Sequence, residues 1–123
     1  MTDDAAERPT GGALALEISN RVSSLFNEYT GRGSSRARTH VLDDLIVTVL
    51  HDTLTKGERQ LAERGEMDTV VATRRSYQRL MQEDMTRMVM ELTGREVLAF
   101  LSDQSAVPDV AVEAFVLVPV EAG

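Results

Sequence analysis

The side chains best suited to bind an anion are concentrated in the stretch EYTGRGSSRART, residues 28–39, which holds three arginines among glycines and hydroxyl side chains. Phosphate-binding loops precede a helix, because the backbone amides and the positive end of the dipole lie at the helix N-terminus. This run instead follows a predicted helix. It also lacks the Walker spacing, and Arg36 stands where the third glycine of G-x-G-x-x-G would lie. We therefore expect no backbone-bound nucleotide and no cofactor.

The arginine side chains remain candidates for binding. Arg36 and Arg38 are two residues apart on a predicted strand, so they point to the same side. With Arg32 nearby, they could hold a small anion or an acidic partner through bidentate hydrogen bonds. The alternative is a solvated edge-strand face, where charge discourages aggregation, and the pattern favours this alternative.

Other catalytic and metal-binding patterns are missing from the sequence. His40 and His51 are the only histidines, no H-x-x-x-H spacing occurs, and there is no cysteine. No G-x-S-x-G motif is present either. The sequence therefore predicts no catalytic residue and no metal ligand, and it does not indicate an enzyme.

Composition is that of one globular domain: 123 residues, 42% hydrophobic and 27% charged. The net charge of −7 argues against a general nucleic-acid binder, and the absence of cysteine fits a reducing compartment. No apolar run approaches the roughly 20 residues of a membrane span. We expect a flexible tail over residues 1–12, a single domain over 13–118, a C-terminal tail over 119–123, a cytoplasmic location and no direct membrane insertion.

Hydrophobic periodicity predicts the elements that position these side chains. An apolar stripe from Leu14 to Tyr29 predicts a helix that ends at Gly31 or Gly33. Residues 37–42 and 45–50 then predict a hairpin with an acidic turn, the second strand being central and buried.

The second half of the chain repeats this plan after a short helix. Thr55 and Glu58 match a capping box at the start of that helix. A long helix is predicted over residues 68–93, ending at Gly94, followed by strands at 96–102 and 110–118 and a loop between them. The order α-β-β-α-α-β-β predicts an α+β two-layer domain, a four-stranded antiparallel sheet with helices on one face.

Two short segments of the sequence echo each other. Residues 28–32 read E-Y-T-G-R and residues 91–95 read E-L-T-G-R, and each closes a predicted helix before a pair of strands. The echo indicates either duplication of an αββ unit or convergence on a common helix stop. In both cases Gly31 and Gly94 are expected to be helix caps with positive φ.

Methionines line one face of the long helix, at Met81, Met85 and Met88. Core packing against the sheet is the favoured interpretation. An adaptable partner surface and a homodimer seam are the alternatives. Arg74, Arg75 and Arg79 are assigned to the charged, solvated side of the same helix.

The combined pattern resembles the DUF2294 family, also called MpsC-like or YbcI-like. The resemblance rests on the glycine–arginine loop, on L-T-x-x-E at Leu54, Thr55 and Glu58, and on T-G-R-x-V followed by S-D, and it covers about residues 13–118. The family loop reads G-R-G-P, whereas Ser34 occupies the proline position here.

The resemblance implies a connection with a sodium-translocating, membrane-potential-generating system, whose relatives include inorganic-carbon uptake machinery. It brings no established catalytic residues. On this basis we expect a soluble, non-enzymatic accessory or regulatory protein, a homodimer that acts beside a membrane transport protein. The alternative function is a small-anion sensor that uses Arg32, Arg36 and Arg38.

Overall fold

The computed structural model describes residues 8–120 and confirms the predicted α+β order. The elements are α1 (Gly11–Thr30), β1 (Arg36–Val41), β2 (Leu45–His51), α2 (Lys56–Glu63), α3 (Met67–Thr93), β3 (Val97–Ser105) and β4 (Val110–Leu117).

The four strands form one antiparallel sheet in the order β1-β2-β4-β3. Each hairpin contributes one edge strand and one central strand, so β2 and β4 pair in the middle. α1 packs on β1 and β2, α3 packs on β3, and the two long helices contact each other. One face of the sheet is therefore covered by helices, and the short helix α2 packs on α3.

The main core lies between the two long helices and the inner face of the sheet. Its fully buried apolar side chains are Ile18, Val22, Phe26, Ile46, Leu50, Met85, Val89, Ala111 and Phe115. Met81 and Met88 belong to the same cluster. The structure thus places the methionine stripe in the core of the monomer, and these residues are not available for a homodimer seam.

Two element boundaries differ by more than one residue from those expected. α1 begins at Gly11, inside the segment assigned to the N-terminal tail, because the buried Leu14 donates its amide to the carbonyl of Thr10 at 3.3 Å. A loop is predicted over residues 103–109, and this prediction is wrong for residues 103–105. β3 continues to Ser105, which pairs with Val110. Residues 1–7 and 121–123 of the expected tails lie outside the described part of the chain.

The E-x-T-G-R echo corresponds to the same structure at the ends of α1 and α3. Gly31 and Gly94 have φ of 83° and 68°, and each donates its amide to the carbonyl four residues earlier. Within each echo the threonine hydroxyl donates to a carbonyl of the last turn, at 2.7 Å from Thr30 to Phe26 and from Thr93 to Val89. The following arginine amides donate back to these hydroxyls.

The arginines of the echo also play matching roles. Arg32 donates Nε to the carbonyl of Asp52, directly after β2, at 2.8 Å. Arg95 donates to the carbonyl of Val118, directly after β4, at 2.8 Å. Each αββ unit is thus tied from its helix end to the end of its own second strand, which is the arrangement that duplication of one unit would produce.

Candidate functional site

Arg32, Arg36 and Arg38 lie on different surfaces. Arg32 lines an open groove of about 610 Å³ between α1 and the following loop. Arg36 and Arg38 are exposed, and they alternate with the buried Thr39, so they lie on the outer face of the sheet. Arg36 contacts the Nε2 of His51 across the strand pair at 3.2 Å. The three arginines do not surround one pocket, and their contact with an anion or an acidic partner stays a prediction.

The departure from the family loop at Ser34 has a local structural role. Its amide donates to the hydroxyl of Ser23 on α1 at 3.1 Å, and the two hydroxyl groups lie 3.0 Å apart. A proline has no N–H and could not make the first of these bonds. Ser34 therefore fastens the loop to α1.

The capping residues Thr55 and Glu58 form the bonds that the sequence motif implies. The Thr55 hydroxyl accepts from the amide of Glu58 at 3.2 Å, and the Glu58 carboxylate accepts from the amide of Thr55 at 2.8 Å. The same carboxylate also pairs with Arg74 of α3, at 2.7 Å. Burial alone would raise the pKa of Glu58, but the bonds from Arg74 and Thr55 outweigh it and hold the pKa below its usual value.

Arg74 is completely buried, although the sequence pattern assigns it to the solvated side of the helix. Besides Glu58, it donates to the carbonyl of Thr53, and its guanidinium lies 6.0 Å from the centre of the Phe26 ring. The helical spacing contains a signal for this burial, since position 74 lies four residues after Val70 and seven before Met81. An arginine in an apolar stripe indicates a buried ion pair, and Glu58 is its partner.

A second buried ionisable residue, Glu113, was also missed from the sequence. It lies on β4 between the buried Ala111 and Phe115 and is fully inaccessible to solvent. Its carboxyl group shares a hydrogen bond with the hydroxyl of Ser102, while its Oε1 has no partner among the described residues. Burial raises the pKa of Glu113 to about 8, against the opposing effects of Ser102 and Arg74, so the group is mostly protonated at neutral pH.

Glu113 belongs to a polar row that crosses the inner face of the sheet. Next to it on β2 is Thr48, whose hydroxyl lies 2.8 Å from that of Thr39. The Thr39 hydroxyl in turn lies 2.7 Å from that of Ser19 on α1. The row therefore runs from helix α1 across all four strands, and the alternation of each strand could have revealed it.

The outer face of the sheet is apolar at its centre and charged at its two edges. Two neighbouring rows, from β1 to β3, are Arg38–Val49–Val112–Asp103 and His40–Val47–Ala114–Leu101. Val112 and Leu101 are 37% and 61% exposed. The β1 edge is basic and the β3 edge carries an acidic residue, with a hydrophobic strip between them.

Comparison with known proteins identifies the family. The family described as "Na+-translocating membrane potential-generating system (MpsC)" matches residues 10–118. The chain belongs to the MpsC family. It is similar to a Bacillus subtilis (strain 168) protein named "Uncharacterized protein YbcI", with 27% identity over 98 residues that make up 77% of each chain. No solved structure matches it.

Membership of this family suggests a role in a Na+-translocating system. The loop, capping and T-G-R features that carried the resemblance all lie within the matched residues. Over residues 8–120, no helix has the length and apolar character needed to cross a bilayer.

Proposed function

We propose that this chain is a non-enzymatic accessory or regulatory protein of a Na+-translocating, membrane-potential-generating system, and that it acts as a homodimer beside a membrane transport protein. Family membership supports the connection with Na+ translocation. The proposed contact surface is the outer face of the sheet, because its apolar centre is not covered by any helix of residues 8–120. Contiguous apolar surface of this kind is typical of protein interaction sites.

The proposed occupant of this face is a second copy of the chain. Arg38 and Asp103 lie at opposite ends of one row, on the two edge strands. A two-fold axis parallel to the strands, passing between β2 and β4, would place each edge strand over the opposite edge strand of the partner. Arg38 of each copy would then face Asp103 of the other, with the apolar strips packed between them.

The other simple two-fold arrangement would bring like charges together. An axis perpendicular to the strands would place β1 over β1 in the reverse direction, so the basic side chains Arg36, Arg38 and His40 of one copy would face the same set in the other. Juxtaposed like charges are unfavourable, so complementarity favours the axis parallel to the strands.

The accessory role is tested in cells that lack the chain. Restoring the wild-type chain should restore Na+-dependent membrane potential, measured with a potential-sensitive dye. Leu101→Arg should fail to restore it, because the guanidinium would be buried against the basic edge strand β1 of the second copy. Leu80→Arg is the matched control, since Leu80 lies on α3 and is 63% exposed, close to the 61% of Leu101.

An unchanged Na+-dependent potential in cells without the chain would contradict the accessory role. Equal activity of the Leu101→Arg and Leu80→Arg variants would show instead that the outer face is not required.

A further inference from the structure

We infer that a groove between α3 and the edge strand β3 binds a small oxyanion, either a carboxylate or a tetrahedral anion such as sulfate or phosphate. The groove has a volume of about 260 Å³. Its polar lining consists of Arg75, Gln78, Arg79, Gln82 and Ser102. It is separate from the groove beside Arg32 and from the outer-face row that contains Arg38, and it borders the neighbouring row at Leu101.

The two arginines of the groove are free to bind an anion. Arg75 and Arg79 lie one turn apart on α3, so their side chains share one side of the helix. Within residues 8–120, neither guanidinium forms an ion pair with a carboxylate, whereas Arg87 of the same helix pairs with Glu83 and Asp84. Among the described residues, Arg79 donates only to the hydroxyl of Ser76, at 3.1 Å. Two unpaired guanidinium groups present donors in the geometry that oxyanions accept.

A buried donor lies in the lining of the groove. Gln78 is only 6% exposed, and its Nε2 has no hydrogen-bond partner among the described residues. Leaving a buried amide N–H without an acceptor is unfavourable, so such a group requires an explanation. An oxyanion in the groove would supply the missing acceptor.

Ser102 is the last donor of the groove, and the availability of its hydroxyl proton depends on the protonation of Glu113. While the Glu113 carboxyl is protonated, it can donate to the Ser102 oxygen, which leaves the hydroxyl proton of Ser102 available to the anion. Loss of that proton reverses the bond and places a negative charge behind the groove. The other charges acting on Glu113 are Arg74, which favours its ionised form, and Asp103, which opposes it. Arg74 is itself paired with Glu58. Anion affinity should therefore fall as the pH rises through about 8.

The test is calorimetric titration of the full chain with sodium sulfate, sodium phosphate and sodium acetate, with sodium chloride at matched ionic strength as the blank. Binding of sulfate or phosphate supports a tetrahedral ligand, and binding of acetate alone supports a carboxylate. The double variant Arg75→Gln/Arg79→Gln should weaken binding at least tenfold. Arg87→Gln, on the same helix, should leave it unchanged. Binding heats no greater than that of chloride for all three anions would overturn the proposal. An equal loss of anion affinity in the Arg87→Gln control would also overturn it.

Two further variants separate a binding role from a structural one. Gln78→Met removes the unpartnered amide while keeping the side-chain length, so the chain should remain folded and bind the anion several-fold more weakly. Glu113→Gln should remove the pH dependence of sulfate binding between pH 6 and 9; sulfate is the probe because its charge is constant over that range. Unchanged affinity in Gln78→Met, or an unchanged pH profile in Glu113→Gln, would contradict the assigned donors.

Discussion

At the scale of single residues, Glu113 makes the stability of this protein depend on pH. The pKa of its carboxyl group rises from an ordinary value of 4.5 to about 8 on folding. The folded state therefore binds this proton more tightly than the unfolded state. It follows that the free energy of unfolding falls as the pH rises from about 4.5 to 8. The pKa of Glu58 is lowered in the folded state, so the stability that Glu58 contributes is lost only at acidic pH.

Glu113→Gln should remove this pH dependence, because glutamine resembles the protonated carboxyl group and does not ionise. The stability of the variant relative to the wild type should rise by about 3 kcal/mol between pH 5.5 and 8.5. Urea unfolding of both proteins at the two pH values measures this difference. If the free energy of unfolding changed equally in the two proteins between these pH values, Glu113 would not be protonated in the folded state.

The buried polar residues mark the limit of prediction from sequence at this scale. Apolar periodicity identifies the core side chains, but Arg74 and Glu113 occupy core positions with polar side chains, and a binary pattern assigns such residues to solvent. Their burial depends on partners that are distant in sequence, Glu58 for Arg74 and Ser102 for Glu113. Pairwise contacts between elements cannot be obtained from the periodicity of one element.

At the scale of elements, the two helix ends depend on glycine. Gly31 and Gly94 adopt positive φ, which costs an L-amino acid about 1 kcal/mol or more. A Cβ at Gly31 would meet open space, so this position isolates the backbone cost. A Cβ at Gly94 would meet the guanidinium of Arg8, which is the mobile end of a flexible side chain.

Gly31→Ala and Gly94→Ala should each lower the free energy of unfolding by about 1 kcal/mol. Gly57→Ala is the control, for which the opposite effect on the free energy of unfolding is expected. Gly57 lies inside α2 without positive φ and with open space around it, so alanine there should stabilise by roughly 0.5–1 kcal/mol. Urea denaturation of the three variants provides the measurement. A stabilising effect at Gly31 would mean that the left-handed conformation is not required there.

Element order, type and most boundaries could be predicted because local signals agree with one another: apolar periodicity, a capping box and glycine stops. The end of β3 could not. Gln104 and Ser105 look like loop residues, yet Gln104 donates to the carbonyl of Val110 at 3.3 Å and accepts from the hydroxyl of Thr53 at 3.2 Å. Backbone pairing of Gln104 with Ala111 and of Ser105 with Val110 extends the strand beyond its apolar segment.

At the scale of the whole molecule, the pairing of two αββ units produces a sheet with one covered and one open face. The strand order places the edge strands β1 and β3 far apart, so the basic edge β1 and the acidic residue Asp103 on β3 are separated by the apolar strip. The homodimer stays a prediction, and the methionines of α3, one alternative seam suggested by the sequence, are buried in the monomer. The row that joins Arg38 to Asp103 depends on the strand order, and local patterns do not determine that order.

Charge reversal at the two ends of this row tests the proposed dimer most directly. In the monomer Arg38 and Asp103 are three strand spacings apart, roughly 14 Å, and do not contact each other. In the proposed dimer each pair occurs twice. Arg38→Asp and Asp103→Arg should each weaken dimerisation about tenfold, and the double variant Arg38→Asp/Asp103→Arg should restore it.

The decisive measurement is the solution mass of these four proteins by light scattering over a concentration series. We predict a dimer for the wild type and for the double variant, and dissociation at higher concentrations for each single variant. A wild-type mass equal to that of the monomer at all concentrations, or a double variant no more dimeric than the single variants, would contradict the account.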